Sequence, residues 1–338
     1  MKRWFRHHET YVLLVIVLFS IIITLFNPNF FTLENMFDLL KSYSFIGIFA
    51  VGVTFVLISG GIDISFTAVA TVAEYVMAVV IIRYGGNILL AFLLAAVVGI
   101  LLGLINATLI YFFRIPTIIT TIATLNIFYG ILTVISGGRW IYALPEWFRS
   151  FADIRIFTLR TSEGIAYGLS IITLIWIIAI AAGWGILRFT KLGRGIYAMG
   201  GSMTAARRVG FNIFKLQMFV YSFMGLMAGL AGMVQALLVQ TVAPNSIVGK
   251  ELAVLAAVVL GGASLAGGTG TLFGTILGVA LIAIMSNGLT LMRVSSFWYN
   301  VFIGLVIILS VSFSAYQRRA RTRRAIIIEE EQGQGGAL

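Results

Sequence analysis

Tyr43-Ser-Phe-Ile-Gly-Ile-Phe-Ala-Val-Gly-Val-Thr-Phe-Val-Leu-Ile58, Ser59-Gly-Gly-Ile-Asp63 and Ile64-Ser-Phe-Thr-Ala-Val-Ala-Thr-Val-Ala-Glu-Tyr-Val-Met-Ala-Val-Val-Ile-Ile82 follow one another directly. The outer two are apolar runs near the length that crosses a bilayer, about 20 residues. The middle one holds two glycines and a carboxylate, which predicts a break between two membrane helices. The same kind of apolar run recurs outward in both directions. The stretches are 11–27, 43–58, 64–82, 88–113, 115–136, 164–187, 216–240, 252–262, 272–292 and 297–315. The first, second and eighth are short, as expected of half-helices lining a cavity. The expected fold is therefore all-α: a polytopic transmembrane helical bundle of about ten spans, one or two of them broken or half-helices.

Composition agrees. Of 338 residues, 60% are hydrophobic and 10% charged, against about 25% charged in soluble domains. This excludes an ordinary cytosolic enzyme, a nucleic-acid module and a disordered chain, so no nucleic-acid partner is expected. With 36 Gly and only 4 Pro, the chain suits closely packed membrane helices. There is no cysteine, hence no disulfide, no cysteine zinc site and no iron–sulfur cluster. The histidines are His7 and His8, and His8-Glu9-Thr10-Tyr11-Val12 fails H-E-x-x-H at Val12. No nucleophile elbow is present. No metal, no cofactor and no enzymatic activity are expected.

Met1–His8 is basic and Tyr11–Phe26 apolar, like a secretory signal, but Asn27-Pro28-Asn29-Phe30 follows in place of a small-residue cleavage site. A retained first span starting in the cytoplasm is the expectation. If every stretch then crosses, 15 of the 23 basic residues lie inside and 8 outside. Those outside are offset by Glu34, Asp38, Glu146, Asp153, Glu163 and Glu251. This obeys the positive-inside rule and places both termini in the cytoplasm. Residues 1–10 are a basic cytoplasmic N-terminus, 11–315 the transmembrane domain and 316–338 a cytoplasmic tail. In that tail, Gln317–Arg324 is a basic anchor beside anionic membrane lipid, and Glu329-Glu330-Glu331 begins an acidic end.

The inside loop 188–215 carries six basic residues and no acidic one. Ser202 is a reasonable N-cap and Gly210 a left-handed stop. They frame one short helix, Met203 to Val209, with glycines on both sides. A topological anchor alone does not need such a helix, so a docking element is the better reading. The glycine-rich run 261–278 lacks the lysine of a Walker A loop. No lysine elsewhere falls in that pattern, so the chain has no recognisable ATP site. That run reads as a tight turn into a helix whose Gly270, Gly274 and Gly278 share one face.

A carboxylate at the centre of a membrane helix costs about 2.5–3.5 kcal/mol on insertion scales and is usually functional or paired. Asp63 and Glu74 lie eleven residues apart, about 20° from a common face if helical. Thr67 and Thr71 fall near that face. One reading is a polar stripe lining a path. The other is helix-end capping by Asp63, which sits cheaply at the inner surface, with a snorkelling Glu74. Asn106, Thr121, Thr124 and Asn287 are further in-span polar groups, candidates for the path or for interhelical hydrogen bonding. The outside loop 137–164, with Trp140, Tyr142, Trp147 and Phe148, suits an interface or an outside protein partner.

Four stretches together resemble a known family over residues 11–315. They are Asn27-Pro-Asn-Phe-Phe-Thr-Leu-Glu-Asn35, Gly60-Gly-Ile-Asp-Ile-Ser65, Leu192-Gly-Arg-Gly-Ile-Tyr-Ala-Met-Gly-Gly201 with Ala205, Ala206 and Gly210, and Lys250–Gly268 continued by Ser286-Asn-Gly-Leu-Thr-Leu291. In this order and spacing they are similar to the membrane permeases of ribose/xylose/arabinose-type ABC importers. The resemblance implies a bacterial inner-membrane permease for a monosaccharide or sugar-like solute. Its implied partners are separate ABC ATPase subunits, an extracytoplasmic sugar-binding protein and a second permease subunit, the same or paralogous. It implies that Gly193, Arg194, Gly200, Gly201, Ser202, Ala205, Ala206, Arg207 and Gly210 belong to the segment that couples to the ATPase. Asn106, Thr121 and Thr124 match family positions. Phe66-Thr67-Ala68 and Glu74 depart from the family, which usually has Val-Gly-Ser and a small residue there. Gly137-Gly-Arg-Trp-Ile141 and Leu144-Pro145 look nearer the autoinducer-2 and rhamnose branches, which pair two different permeases. A proton-coupled secondary transporter using Asp63 and Glu74 is the alternative.

Overall fold

Thr32 opens the helix that leads into the Ser59–Asp63 break: its Oγ1 accepts from Asn35 N at 3.3 Å, and Glu34 sits in the first turn. This helix, α2 (Leu33–Ile58), has 26 residues, about 39 Å at 1.5 Å per residue. The sequence reading starts it at Tyr43 because Glu34, Asn35, Asp38 and Lys41 interrupt the apolar run. Capping and the helix dipole carry those first turns, so the second stretch is the buried part of a full-length helix. A computed structural model describes residues 7–160, 164, 166–295, 297–305 and 308. Lys2, Arg3 and Arg6, Glu163 and the whole tail 316–338 lie outside the described residues.

Before α2 come α1 (His7–Phe26) and a 3-10 turn at Pro28–Phe31. After it come α3 (Phe66–Tyr84), α4 (Ile88–Phe113), α5 (Thr117–Ser136) and the short α6 (Glu146–Phe151). A two-stranded antiparallel hairpin, β1 (Leu159–Arg160) with β2 (Ala166–Tyr167), pairs Leu159 with Tyr167. Then follow α7 (Ile171–Phe189), α8 (Lys191–Gly201), α9 (Met203–Arg208), α10 (Ile213–Val239), α11 (Glu251–Leu260) and α12 (Leu272–Leu291). Eight of these, α1–α5, α7, α10 and α12, are long and apolar enough to cross a membrane. The chain is an all-α polytopic bundle. The tenth stretch, 297–315, is described only in part, with 297–305 helical.

The core lies where α2, α3 and α10 meet. From Ile46 to Ile58, α2 is buried on every side. The contact of α4 with α10 is made by backbone. A Cβ at Gly99 would lie 2.1 Å from the Gly225 carbonyl oxygen, and one at Gly103 2.3 Å from that of Tyr221. Gly99 and Gly103, and Gly225 and Gly229, repeat every four residues, the spacing that lets two membrane helices touch along one stripe. The opposite face of α5 presents Ile119, Ile122, Ile127, Ile131 and Ile135 outward, as expected of a surface against hydrocarbon. On the other flank α1 packs on α12, Ile23 filling the space above Gly288.

The eighth stretch is a short helix preceded by irregular chain. α11 has ten residues, about 15 Å, and residues 241–250 ahead of it are not helical. Irregular backbone at membrane depth is stable only where protein surrounds it. Val242, Ala243 and Ile247 are indeed buried. One end of the bundle gathers the segments 59–65, 114–116, 190–212 and 261–271. The other holds 137–160 and 166–170, where Ile141 pairs with Val242 through backbone bonds of 2.8 and 2.9 Å.

Candidate functional site

The break after α2 is built by its glycines. Gly60 N donates to Leu57 O at 3.0 Å and Gly61 N to Val56 O at 3.1 Å. This is a Schellman stop, whose turning residue must be left-handed; Gly60 has φ +85°. The chain then runs extended along the start of α5. Ile62 N donates to Thr117 Oγ1 at 3.0 Å, and Ile64 N to Thr121 Oγ1 at 3.2 Å. Thr121 Oγ1 also approaches Ile62 O at 3.3 Å. Two threonine hydroxyls thus stand in for the helix or sheet partners this segment lacks.

Asp63 is buried. Its Oδ1 accepts from both Ser65 N and Ser65 Oγ at 2.7 Å, an Asx turn just ahead of α3. Ser65 Oγ in turn accepts from Asn106 Nδ2 at 2.7 Å. Asn106 Oδ1, also buried, has no partner among the described residues. The eleven-residue spacing places Asp63 and Glu74 on one helix face, but α3 begins at Phe66, so Asp63 reaches the polar region on extended chain. Thr124 Oγ1 donates to Thr121 O at 3.3 Å, one turn along α5. Asp63, Asn106, Thr121 and Thr124 therefore come together around the break.

Along α3 the row continues through Thr67, Thr71 and Glu74, each exposed by no more than 1%. Glu74 is fully buried, which does not fit a snorkelling side chain, and Asp63 is buried within the protein at the end of the bundle where 59–65 lies. Thr71 Oγ1 turns back to Thr67 O at 2.8 Å. The other two side chains face residues 241–251. Thr67 Oγ1 donates to Glu251 Oε1, which also accepts from Gly249 N at 3.0 Å. Ser246 Oγ donates to Glu74 Oε1, while Glu74 Oε2 has no partner among the described residues. Asn287 stands apart. It exchanges amide bonds of 3.0 and 3.2 Å with Asn35, tying α12 to α2 at the end far from Asp63.

Sequence reasoning missed Thr117, Ser246 and Glu251. Glu251 was counted among outside-loop charges. The available signal was its position directly before an apolar stretch too short to cross.

The loop 188–215 holds two helices in place of the single expected one. Thr190 caps α8 by accepting from Gly193 N at 3.1 Å. The first glycine cluster is itself helical because it is tightly packed: a Cβ at Gly193 would lie 2.4 Å from Leu187 O. Ser202 caps α9, accepting from Ala205 N at 3.3 Å, and Gly210 at φ +92° ends it. On α9 only Ala206 is buried; Met203, Ala205, Arg207, Arg208 and the following Val209 are exposed, as is Arg194 on α8.

Gly200 connects this loop to the break. Gly268 N donates to Ile58 O at 2.9 Å, and a Cβ at Gly267 would lie 2.6 Å from Gly60 Cα and 2.7 Å from Gly200 O. Tyr197 Oη donates to Gly270 O at 2.8 Å. Three glycine-rich stretches far apart in sequence thus close into one node.

Comparison with known proteins agrees with this architecture. The chain is 35% identical to the ribose import permease protein RbsC of Escherichia coli K12, over 92% of this chain and 94% of that protein. The RbsC of Haemophilus influenzae is 33% identical over 93% and 94%. The autoinducer 2 import system permease protein LsrC of Yersinia pestis Pestoides F is 31% identical over 94% of this chain and 88% of its own. No solved structure matches the chain. A family model described as "Branched-chain amino acid transport system / permease component" matches residues 35–311. The node, the broken helices and the paired glycine stripes all lie within that match, and the chain belongs to this family of transport-system permease components.

Proposed function

We propose that this chain is the transmembrane permease subunit of an ATP-binding-cassette importer for a monosaccharide or sugar-like solute, of the ribose, rhamnose or autoinducer-2 type. It forms the translocation path and couples to a separate ATPase. The observation that carries this reading is the α8–α9 segment. A six-residue helix capped at both ends, buried only at Ala206 and lined by Arg207 and Arg208, has the form of a knob for another protein's socket. The similarity to import permeases for ribose and autoinducer 2 supports the solute class. The path runs past Asp63, Thr67, Thr71, Glu74, Asn106, Thr121 and Thr124. The partners are ATPase subunits, an extracytoplasmic binding protein and a second permease subunit. The setting is a bacterial inner membrane with both termini cytoplasmic.

The test is gentle purification of the tagged chain from its native membrane, with mass spectrometry of its companions and uptake measured in vesicles. A companion carrying Walker A at near-equal amount, with uptake dependent on ATP, is the expected result. The buried, half-unpartnered Glu74 favours one competing reading, a proton-coupled carrier. A chain that purifies alone and takes up solute under a pH gradient without ATP establishes that reading instead.

A further inference from the structure

Residues 241–250 run without helical bonding into Glu251 at the start of α11, with Val242, Ala243, Pro244 and Ile247 buried. Two side-chain pairs fasten this segment to α3, in opposite senses. On one, α3 supplies the carboxylate Glu74 and the segment the hydroxyl Ser246. On the other, the segment supplies the carboxylate Glu251 and α3 the hydroxyl Thr67. Glu74 and Thr67 are seven residues apart on α3, two turns along the same face. Among the described residues, Ser246 is the one hydrogen-bond partner of Glu74, and its second oxygen is buried with none. A sealed carboxylate oxygen without a donor is costly, so the site has an unmet demand for one more hydrogen bond.

We propose that residues 241–251 are a movable strap, and that Glu74 and Glu251 accept the hydroxyls of a neutral polyhydroxylated solute when the strap lifts. The proposal rests on the permease reading above and names the solute-contacting groups of that path. The strap's own hydroxyl, Ser246, stands where a solute hydroxyl would go. Exchanging one hydroxyl for another keeps the count of hydrogen bonds, so the exchange carries little net cost. A solute with two adjacent hydroxyls does better than the serine, because it meets both oxygens of Glu74 at once. Anionic solutes are not served by this arrangement, because an anion would meet two carboxylates.

The experiment uses the full chain reconstituted with its ATPase and binding protein, with D-ribose as the probe. Glu74→Gln lowers ATP-driven uptake about tenfold or more, the loss expected for a hydrogen bond to a charged group. Ser246→Ala removes the tie but not the acceptor, and its loss is several-fold smaller. Equal losses in the two variants make the pair a structural tie and overturn the proposal, as does full uptake by Glu74→Gln. Ser246→Cys adds the single thiol to a chain that has none. An impermeant maleimide labels it slowly at rest and faster during ATP turnover; equal labelling in both states overturns the strap. Uptake by the unaltered chain that ignores ATP strikes the permease reading itself. The hydroxyl site is then judged by whether D-ribose shields the thiol, and absence of shielding overturns it.

Discussion

The Cα of Gly200 sits against the carbonyl of Ile58, so close that a Cβ at 200 would lie 1.8 Å from that oxygen. The same oxygen, one of the orphan acceptors at the end of α2, is capped by Gly268 N. The end of α2, the exposed α8–α9 segment and the 261–270 turn therefore share one backbone contact. A push on α8 is delivered to the residue two before Gly60, at the head of the extended segment carrying Asp63.

Gly200→Ala destabilises the protein by at least about 2 kcal/mol, the range for forcing a methyl into a packed backbone contact. Gly201→Ala, where a Cβ meets nothing within 4 Å, is neutral. Thermal unfolding of the detergent-purified variants measures the difference. Equal melting temperatures refute the node.

Reversing the charges of α9, with Arg207→Glu and Arg208→Glu together, leaves the melting temperature unchanged because both side chains are exposed. The same variant binds the ATPase at least about tenfold more weakly, as expected when charge complementarity is inverted across an interface. Pull-down with the ATPase and uptake in vesicles read this out. Undiminished binding removes α9 from the coupling surface.

Thr121→Val abolishes the hydroxyl that serves both Ile62 and Ile64. Leaving those backbone groups unpaired costs about 1–3 kcal/mol. Thr124→Val, whose hydroxyl serves only its own helix, costs less than half of that. Chemical denaturation in mixed micelles ranks the two, and the reverse ranking contradicts the account of how the break is held.

Asn35→Ala and Asn287→Ala each weaken the tie between α2 and α12, and the double variant is hardly worse than Asn35→Ala alone, which also loses the bond from Asn35 Nδ2 to Phe30 O at 2.8 Å. The coupling is about 1 kcal/mol, typical of a shared hydrogen-bonded pair. Strict additivity in a double-mutant cycle would show that the amides act independently.

Much of this was legible in the residues. Ser202 and Gly210 mark α9 because capping depends on a few neighbouring atoms, and the apolar stretches mark the helices because burial in hydrocarbon acts on composition. The start of α2 was hidden because Glu34, Asp38 and Lys41 lower its hydropathy while the cap at Thr32 holds it helical. Asp63 left the face it shared with Glu74 on paper, since a Schellman stop at Gly60 delays α3 until Phe66. Ser246 and Glu251 could not be found by periodicity at all. Their roles come from which helix an irregular segment rests on, a fact of tertiary packing alone. Gly60 reads as a helix break, Gly200 as a flank of the docking helix and Gly267 as part of a tight turn, and only the fold shows them to be one joint.

The glycine stripes of α4 and α10 have a further consequence. Two helices that touch backbone to backbone, with bumps and hollows repeating every four residues, are indexed like a rack and pinion. The next register at which they fit again lies about 6 Å away along the axis. Small slides are blocked, because an intermediate offset sets Tyr221 or Ala95 backbone against a neighbouring side chain. The pair therefore behaves as a single strut through any change of access. Displacement falls to the parts joined by hydroxyls and carboxylates, the irregular segments 59–65 and 241–251, which can let go one bond at a time.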